Sequence, residues 1–280
     1  MSVLTAPRLA LLREQATAIK REPDMERAVL LTEGYRAAMS GSVPPPSVVR
    51  RAAALAHVLR ESAPRILPGE LIVGYQAATS NWNLLAYPEF WREQPPQTGD
   101  AERDAVVREL HGFWAAHPEF RARGTLFGHC VPGYERVLQR GFVALAEEAR
   151  ALQGAATERP AYFDLDYSAD DFRRAMATLA EGCAQYGLNY AAEAERLAGA
   201  EADAERRAEL ERIAEVCAAY PAVAAGYRSL EAMLEAEHLD AVNVVTPDHL
   251  HRAHVEACLA AGCHVLQTKP LATSLADARA

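Results

Sequence analysis

The hydrophobic periodicity of this chain changes once, after Tyr220-Pro221, and that change constrains the fold more than any other feature. Before it, apolar residues recur at three- and four-residue spacing through long Ala/Glu/Arg stretches, the period of helices that bury one face. After it, short apolar runs alternate with helical patterns, as in a parallel sheet covered by helices. A chain of 280 residues accommodates one large domain or two modest ones. The switch puts the boundary between Pro221 and Tyr227, giving regions 1–221 and 222–280.

In the first region the spacing predicts helices over Arg8–Lys20, Met25–Met39, Ser47–Glu61, Ala101–Ala116, Gly133–Gln153, Ala169–Ala198 and Asp203–Ala219. Proline and glycine pairs such as Pro44-Pro45-Pro46, Pro68-Gly69 and Pro95-Pro96 separate them. The clearest strand there is Glu70–Tyr75, an apolar run launched from a Pro-Gly turn. Asp203 to Glu215 is charged nearly all round and reads as a solvated helix face. The second region reads as helix Ser229–Glu237, strand Asp240–Val245, helix Pro247–Ala261, strand His264–Gln267 and a helix from Ser274. Thr246 suits the N-cap and Pro247 the first turn of the middle helix, while Gly262 ends it.

Composition narrows the partners. A net charge of -9 repels phosphate backbones and acidic lipid, so neither nucleic acid nor a membrane is expected. No apolar run reaches the roughly 18 residues needed to span a bilayer. The N-terminus lacks the basic, apolar and small-residue zones of a signal peptide, so a cytoplasmic location is expected. Five cysteines, odd in number and never in a Cys-x-x-Cys pair, read as reduced thiols. Lysine is nearly absent: Lys20 and Lys269 stand among arginines, which hints that an ammonium was wanted at each.

Several phrases of the first region occur together: Glu26-Arg-Ala-Val-Leu-Leu-Thr-Glu-Gly-Tyr35, Arg50-Arg-Ala-Ala-Ala-Leu-Ala-His-Val-Leu59, Pro68-Gly-Glu-Leu-Ile-Val-Gly74, Tyr87-Pro-Glu89, Gly128-His-Cys-Val-Pro-Gly-Tyr-Glu-Arg-Val-Leu138 and Ala208-Glu-Leu-Glu-Arg-Ile-Ala-Glu-Val-Cys217. In order and spacing they resemble the N-terminal part of the glycyl radical enzymes, the pyruvate formate-lyase-like family. The resemblance implies part of an α/β barrel in which a backbone glycyl radical generates a thiyl radical on a cysteine. The contexts of that cysteine and that glycine belong to later portions of the family and do not occur here. Cys183, in Glu181-Gly-Cys-Ala, lies in an Ala-rich helical stretch and reads as a packing cysteine; Cys130 and Cys217 read the same way. His129 matches a segment expected to reach the substrate cavity, where an imidazole could bond a substrate hydroxyl or carboxylate. Fixing a loop by a bond to backbone is an equal alternative for it.

The second region carries Tyr227-Arg-Ser-Leu-Glu-Ala-Met-Leu, Asp240-Ala-Val-Asn-Val-Val-Thr-Pro-Asp-His-Leu-His251 and Ala260-Ala-Gly-Cys-His-Val-Leu-Gln-Thr-Lys-Pro-Leu-Ala272. These resemble the second half of the nucleotide-binding domain of the Gfo/Idh/MocA oxidoreductases. The expected fold class is therefore a mainly α region followed by an incomplete Rossmann-like α/β segment. The resemblance implies NAD(P), with Thr246, Pro247, His251 and Lys269 as cofactor-binding residues. It also makes Lys269 the catalytic lysine beside nicotinamide and substrate, although Thr268 stands where the family has glutamate. His249, His251, His254 and Cys258 complete no familiar zinc spacing, so no metal is expected. No Gly-x-Gly-x-x-Gly occurs in the chain, so the pyrophosphate cradle is missing and NAD(P) binding should be weak at best.

Three functions remain open: a radical-enzyme segment inactive alone, an oxidoreductase segment acting on a polyol or sugar with a completing chain, and a non-catalytic helical interaction module. Helices without their barrel partner should favour self-association.

Overall fold

The computed structural model describes residues 6–19, 25–41, 45–71, 73, 84–91, 96–121, 134–155, 167–219, 229–239, 241–244, 246–267 and 271–279. The chain divides into two compact units, Ala6–Ala224 and Ala225–Ala280.

The first unit contains α1 (Ala6–Ile19), α2 (Glu26–Ala38), α3 (Ser47–Glu61), α4 (Ala101–Ala116), α5 (Tyr134–Ala151), α6 (Ala169–Ala200) and α7 (Ala204–Ala219), with short 3-10 turns at Leu84–Ala86, Pro88–Phe90 and Pro118–Phe120. Helix α3 packs against both α2 and α6. Its alanines make that possible: Ala52, Ala54 and Ala56 are buried, and glycines on the neighbours meet them. A Cβ at Gly34 of α2 would lie 2.7 Å from the Ala54 Cα, and one at Gly182 of α6 would lie 2.9 Å from the Ala56 Cα. The helices thus touch backbone to backbone, which tolerates no side chain at either position.

Aromatic residues fill the space on the α4 side. The Tyr35 ring stacks on Phe120 with centroids 4.3 Å apart and meets Trp114 edge-on at 5.6 Å. The buried polar atoms there are satisfied: Trp114 Nε1–H donates to Thr32 Oγ1 at 2.9 Å, and that hydroxyl donates to the Ala28 carbonyl at 2.7 Å. Beside this core, Arg27 grips Glu89 with two bonds of 2.7 and 3.1 Å, donates to the Ala86 carbonyl and lies over the Tyr87 ring. A forked, half-buried pair of this kind fixes the Leu84–Phe90 segment in register. The N-termini of α4 and α6 are capped by Asp100 and by a reciprocal Ser168–Asp171 box.

The structure departs from the sequence pattern in three places in this unit. No strand forms at Glu70, Leu71 or Val73, and the rest of the expected Glu70–Tyr75 strand lies outside the described residues. The Glu70 carboxylate turns back to the Leu67 N–H at 2.8 Å, and the Glu70 carbonyl accepts from Arg206 at 2.8 Å instead of from a neighbouring strand. The helix expected over Gly133–Gln153 is broken at Gly141, whose φ of 70° and ψ of 165° leave the helical region. The charged helix expected to be solvated is α7, and it buries Leu210, Ile213 and Ala214 against α6. Its Arg206 and Glu209 are half-buried and linked, and Glu209 also takes Arg8 of α1.

The second unit contains α8 (Leu230–Ala236), β1 (Ala241–Val244), a 3-10 turn at Asp248–Leu250, α9 (His251–Ala260), β2 (His264–Gln267) and α10 (Leu275–Arg279). The strands pair in parallel, from Ala241 beside His264 to Val244 beside Gln267, with α9 as the crossover between them. Gly262 ends α9 at φ 83°, its N–H on the Leu259 carbonyl and the Cys263 N–H on the Cys258 carbonyl, both at 3.0 Å. This double bond pattern is the Schellman cap that only glycine adopts without strain. Val244, Cys258 and Cys263 form the small core, with Leu230, Leu234 and Val255 packed at its margin.

The helix expected to start at Pro247 under a Thr246 cap starts later. Pro247 is extended, and α9 proper begins at His251 without a side-chain cap. The Thr246 hydroxyl is used elsewhere, as the site below shows. Among the described residues no helix is long and apolar enough to cross a membrane.

Candidate functional site

Parallel strands gather ligand sites at their carboxyl ends, where successive loops leave the sheet together. Here Val244 and Gln267 end β1 and β2 side by side, so the segments after both strands leave one edge. Thr246 and Pro247 follow β1; Lys269, two residues past β2, lies outside the described residues, as does Thr268.

Two histidines of α9 hold the first of these segments. His251 Nε2 meets the Thr246 carbonyl at 2.7 Å, and His254 Nδ1 meets the Thr246 hydroxyl at 3.0 Å. Both oxygens of Thr246 are therefore engaged by one helix face, the two histidines being three residues apart. His251 is 0% exposed. Expected at a cofactor, it holds the segment after β1 through the bond of its Nε2 to the Thr246 carbonyl. The Glu231 carboxyl of α8 is held below the usual range by its own backbone N–H and the Ser229 hydroxyl, with a smaller contribution from His254. Pro247 is exposed.

Thr246 and Pro247 stand where the nicotinamide half of a dinucleotide would lie, while the glycine-rich loop that would hold its pyrophosphate is absent from the sequence. The turn after β1 closes on itself, the Leu250 N–H bonding the Pro247 carbonyl at 2.8 Å. Among the described residues no three His, Cys, Asp or Glu side chains gather as metal ligands do.

In the helical unit, Cys183 is half-buried on α6 beside Gly182, the residue that lets α6 press on Ala56. Burial pushes the Cys183 and Cys217 thiols up, away from thiolate character. Cys258 is pushed up by burial and by nearby Cys263. His129 and Cys130 lie outside the described residues. What sequence reasoning missed is the Thr246–His254 bond; the recurrence of His251 and His254 on one helix face was its only signal.

Residues 111–230 match the family described as pyruvate formate lyase-like, and residues 182–280 match the oxidoreductase family with an NAD-binding Rossmann fold. The chain is 26% identical over 259 aligned positions to trans-4-hydroxy-L-proline dehydratase of Clostridioides difficile, covering 78% of this chain and 31% of that enzyme. Over 54 residues it is 48% identical to D-apiose dehydrogenase of Paraburkholderia graminis, covering 19% of this chain and 14% of that one. In structure it is similar to the glycerol-bound B12-independent glycerol dehydratase of Clostridium butyricum, with a TM-score of 0.60 and 22% identity, covering 81% of this chain and 32% of that one. The chain thus spans about a third of the length of the dehydratases it matches over most of its own.

Proposed function

We propose, from the premise that this chain joins a segment of the pyruvate formate lyase-like glycyl radical enzymes to a segment of the Gfo/Idh/MocA oxidoreductases, that its helical unit is the amino-terminal framework of a radical dehydratase or lyase. The hydrogen-abstracting cysteine and the radical glycine come from outside these 280 residues, by further sequence or a second chain. The observation that carries this reading is the packing of Gly182-Cys183. The glycine is consumed by contact with Ala56, and the thiol beside it is half-buried on a helix with its pKa raised, which makes Cys183 a packing residue and not the hydrogen-abstracting cysteine. Within such a framework His129 bonds a substrate hydroxyl or carboxylate. The anaerobic chain, assayed for dehydration of trans-4-hydroxy-L-proline and glycerol with electron paramagnetic resonance alongside, should give neither turnover nor a radical signal. Turnover abolished by Cys183→Ser would overturn the proposal.

The adjacent carboxyl ends of β1 and β2 favour a second reading for the other unit, a Rossmann-like remnant that touches the nicotinamide half of NAD(P) through Thr246 and Pro247. Bound NAD(P) would accept or supply hydride there, and Lys269 would hold the proton of the substrate hydroxyl. Lacking a phosphate cradle, the unit binds the cofactor weakly at best. Calorimetric titration with NADH should show no tight stoichiometric binding, and a one-to-one complex of high affinity would refute this.

A further inference from the structure

The geometry points to a reversible disulfide between Cys258 and Cys263, formed at the expense of a small-molecule disulfide and clamping the end of α9 to the start of β2. Both cysteines are free and buried, and they are the two cysteines of residues 225–280. Spacing alone does not pair them: in a continuing helix, residues five apart stand about 140° apart around the axis. The cap at Gly262 reverses this. With φ at 83° the chain folds back over the last turn of α9, and the Cys263 N–H reaches the carbonyl of Cys258 itself at 3.0 Å. In a Schellman cap these are the two positions whose side chains meet, ordinarily as an apolar contact.

Here both positions carry sulfur. Cys258 and Cys263 share one core with Val244 and are 0% and 5% exposed. The Cys258 thiol is pushed up first by burial and then by Cys263, so the two groups lie within each other's field. A disulfide needs Cα atoms about 4.4–6.8 Å apart with facing Cβ atoms, a span that a turn closed by a bond between the same two residues provides. With glutathione disulfide the exchange balances. One protein thiolate breaks the glutathione S–S bond, forms a mixed disulfide and releases one glutathione thiolate; the second protein thiolate attacks the protein sulfur of that mixed disulfide and releases the other. The protein gives up two electrons and two protons, and glutathione takes them. Burial shields both thiols while the unit is closed, so the first attack passes through the local openings of a small core. The bond then favours the closed form, because it fixes in advance a loop that folding must otherwise close.

The test is equilibration of the 280-residue chain in graded glutathione buffers, native and in concentrated urea, followed by acid quenching, alkylation and peptide mass. Trypsin leaves both cysteines in the peptide that begins at Ala253, since no basic residue stands between them. The bond therefore shows as the loss of two hydrogens and of both alkyl groups. The native chain should form it about tenfold or more readily against glutathione than the urea-unfolded chain does. Hydrogen exchange over α9 and β2 should slow by a similar factor on oxidation, and Cys258→Ala and Cys263→Ala should each abolish the slowing. Cys263 lies between α9 and β2, so its variant keeps the comparison valid even where Cys258→Ala loosens the helix. Both thiols alkylated throughout, separate glutathione adducts on each, or pairing as ready in urea as in the native chain would overturn the clamp. So would exchange that is unchanged on oxidation or that slows equally in Cys263→Ala.

Discussion

The helical unit and the strand-containing unit draw on the same alphabet of small and aliphatic residues, yet bury them very differently. Helix α3 is covered on two sides, and Ala54 and Ala56 are 0% exposed there. In the second unit α9 covers two strands of four residues each, and Leu266 of β2 remains 63% exposed with Leu275 of α10 at 66%. The lesson is one of layers. A helix between two others buries both its faces, whereas a single α layer on two short strands buries one face of each. With surface-to-volume scaling against it, a unit of this size has little free energy to spare. The first unit should therefore unfold cooperatively, while the second should open locally and often.

The sharpest way to break this contrast is Trp114→Ala. It removes the ring at the centre of the α2–α4 core and leaves Thr32 without its donor, so it should cost the helical unit about 3–5 kcal/mol in a urea titration. The α9 region should keep its own transition. Gly34→Ala comes next, at about 1–3 kcal/mol, because its Cβ would meet the Ala54 backbone. Gly112→Ala on α4 is its control: nothing lies within 4 Å, so alanine should stabilise by about 0.5–1 kcal/mol. If the two substitutions behave alike, the close approach of α2 and α3 is wrong.

Ser168→Ala should cost about 1 kcal/mol by opening the α6 capping box. The same box makes a pH prediction. The Ser168 N–H and hydroxyl, with Arg174, hold the Asp171 carboxyl below the usual range. A depressed folded pKa contributes stability that is present above the unfolded value and lost as pH falls through the folded one. Asp171→Asn should flatten that acid-side loss in melting temperature measured from neutral pH downward, and a parallel curve would remove the box from the account. The smallest effect belongs to the other unit, where Leu266→Lys should change stability by less than about 0.5 kcal/mol, as read by chemical denaturation.

These contrasts also separate what was legible in the residues from what was not. Helices α3 and α4 and strand β2 begin and end where local signals put them, since Pro46, Asp100 and Gly262 act within one turn of their own position. The Gly34–Ala54 and Gly182–Ala56 contacts were invisible, because a glycine inside a helical pattern says nothing of which helix will press on it. The break at Gly141 and the loss of a strand at Glu70 were equally hidden. The carbonyl of Glu70 is taken by Arg206, far along the chain, while Gly141 leaves the helical region at φ 70°, and local periodicity holds no record of either. At the site, the resemblance to a cofactor motif singled out Thr246, Pro247 and His251, and the structure ties Thr246 to His251 through its carbonyl. Local signals made Thr246 an N-cap, however, and the structure turns its hydroxyl onto His254 instead of a helix amide. Asymmetry of this kind is expected where a motif stands without the rest of its fold.

Hydrogen exchange of the whole chain, read by mass spectrometry with and without NADH, tests the central claim most directly. The account predicts slow exchange across α3 and α6, fast exchange from Ala241 to Gln267, and no change at either place when NADH is added. Protection of β1 and β2 equal to that of α3, or a marked slowing there with NADH, would contradict it.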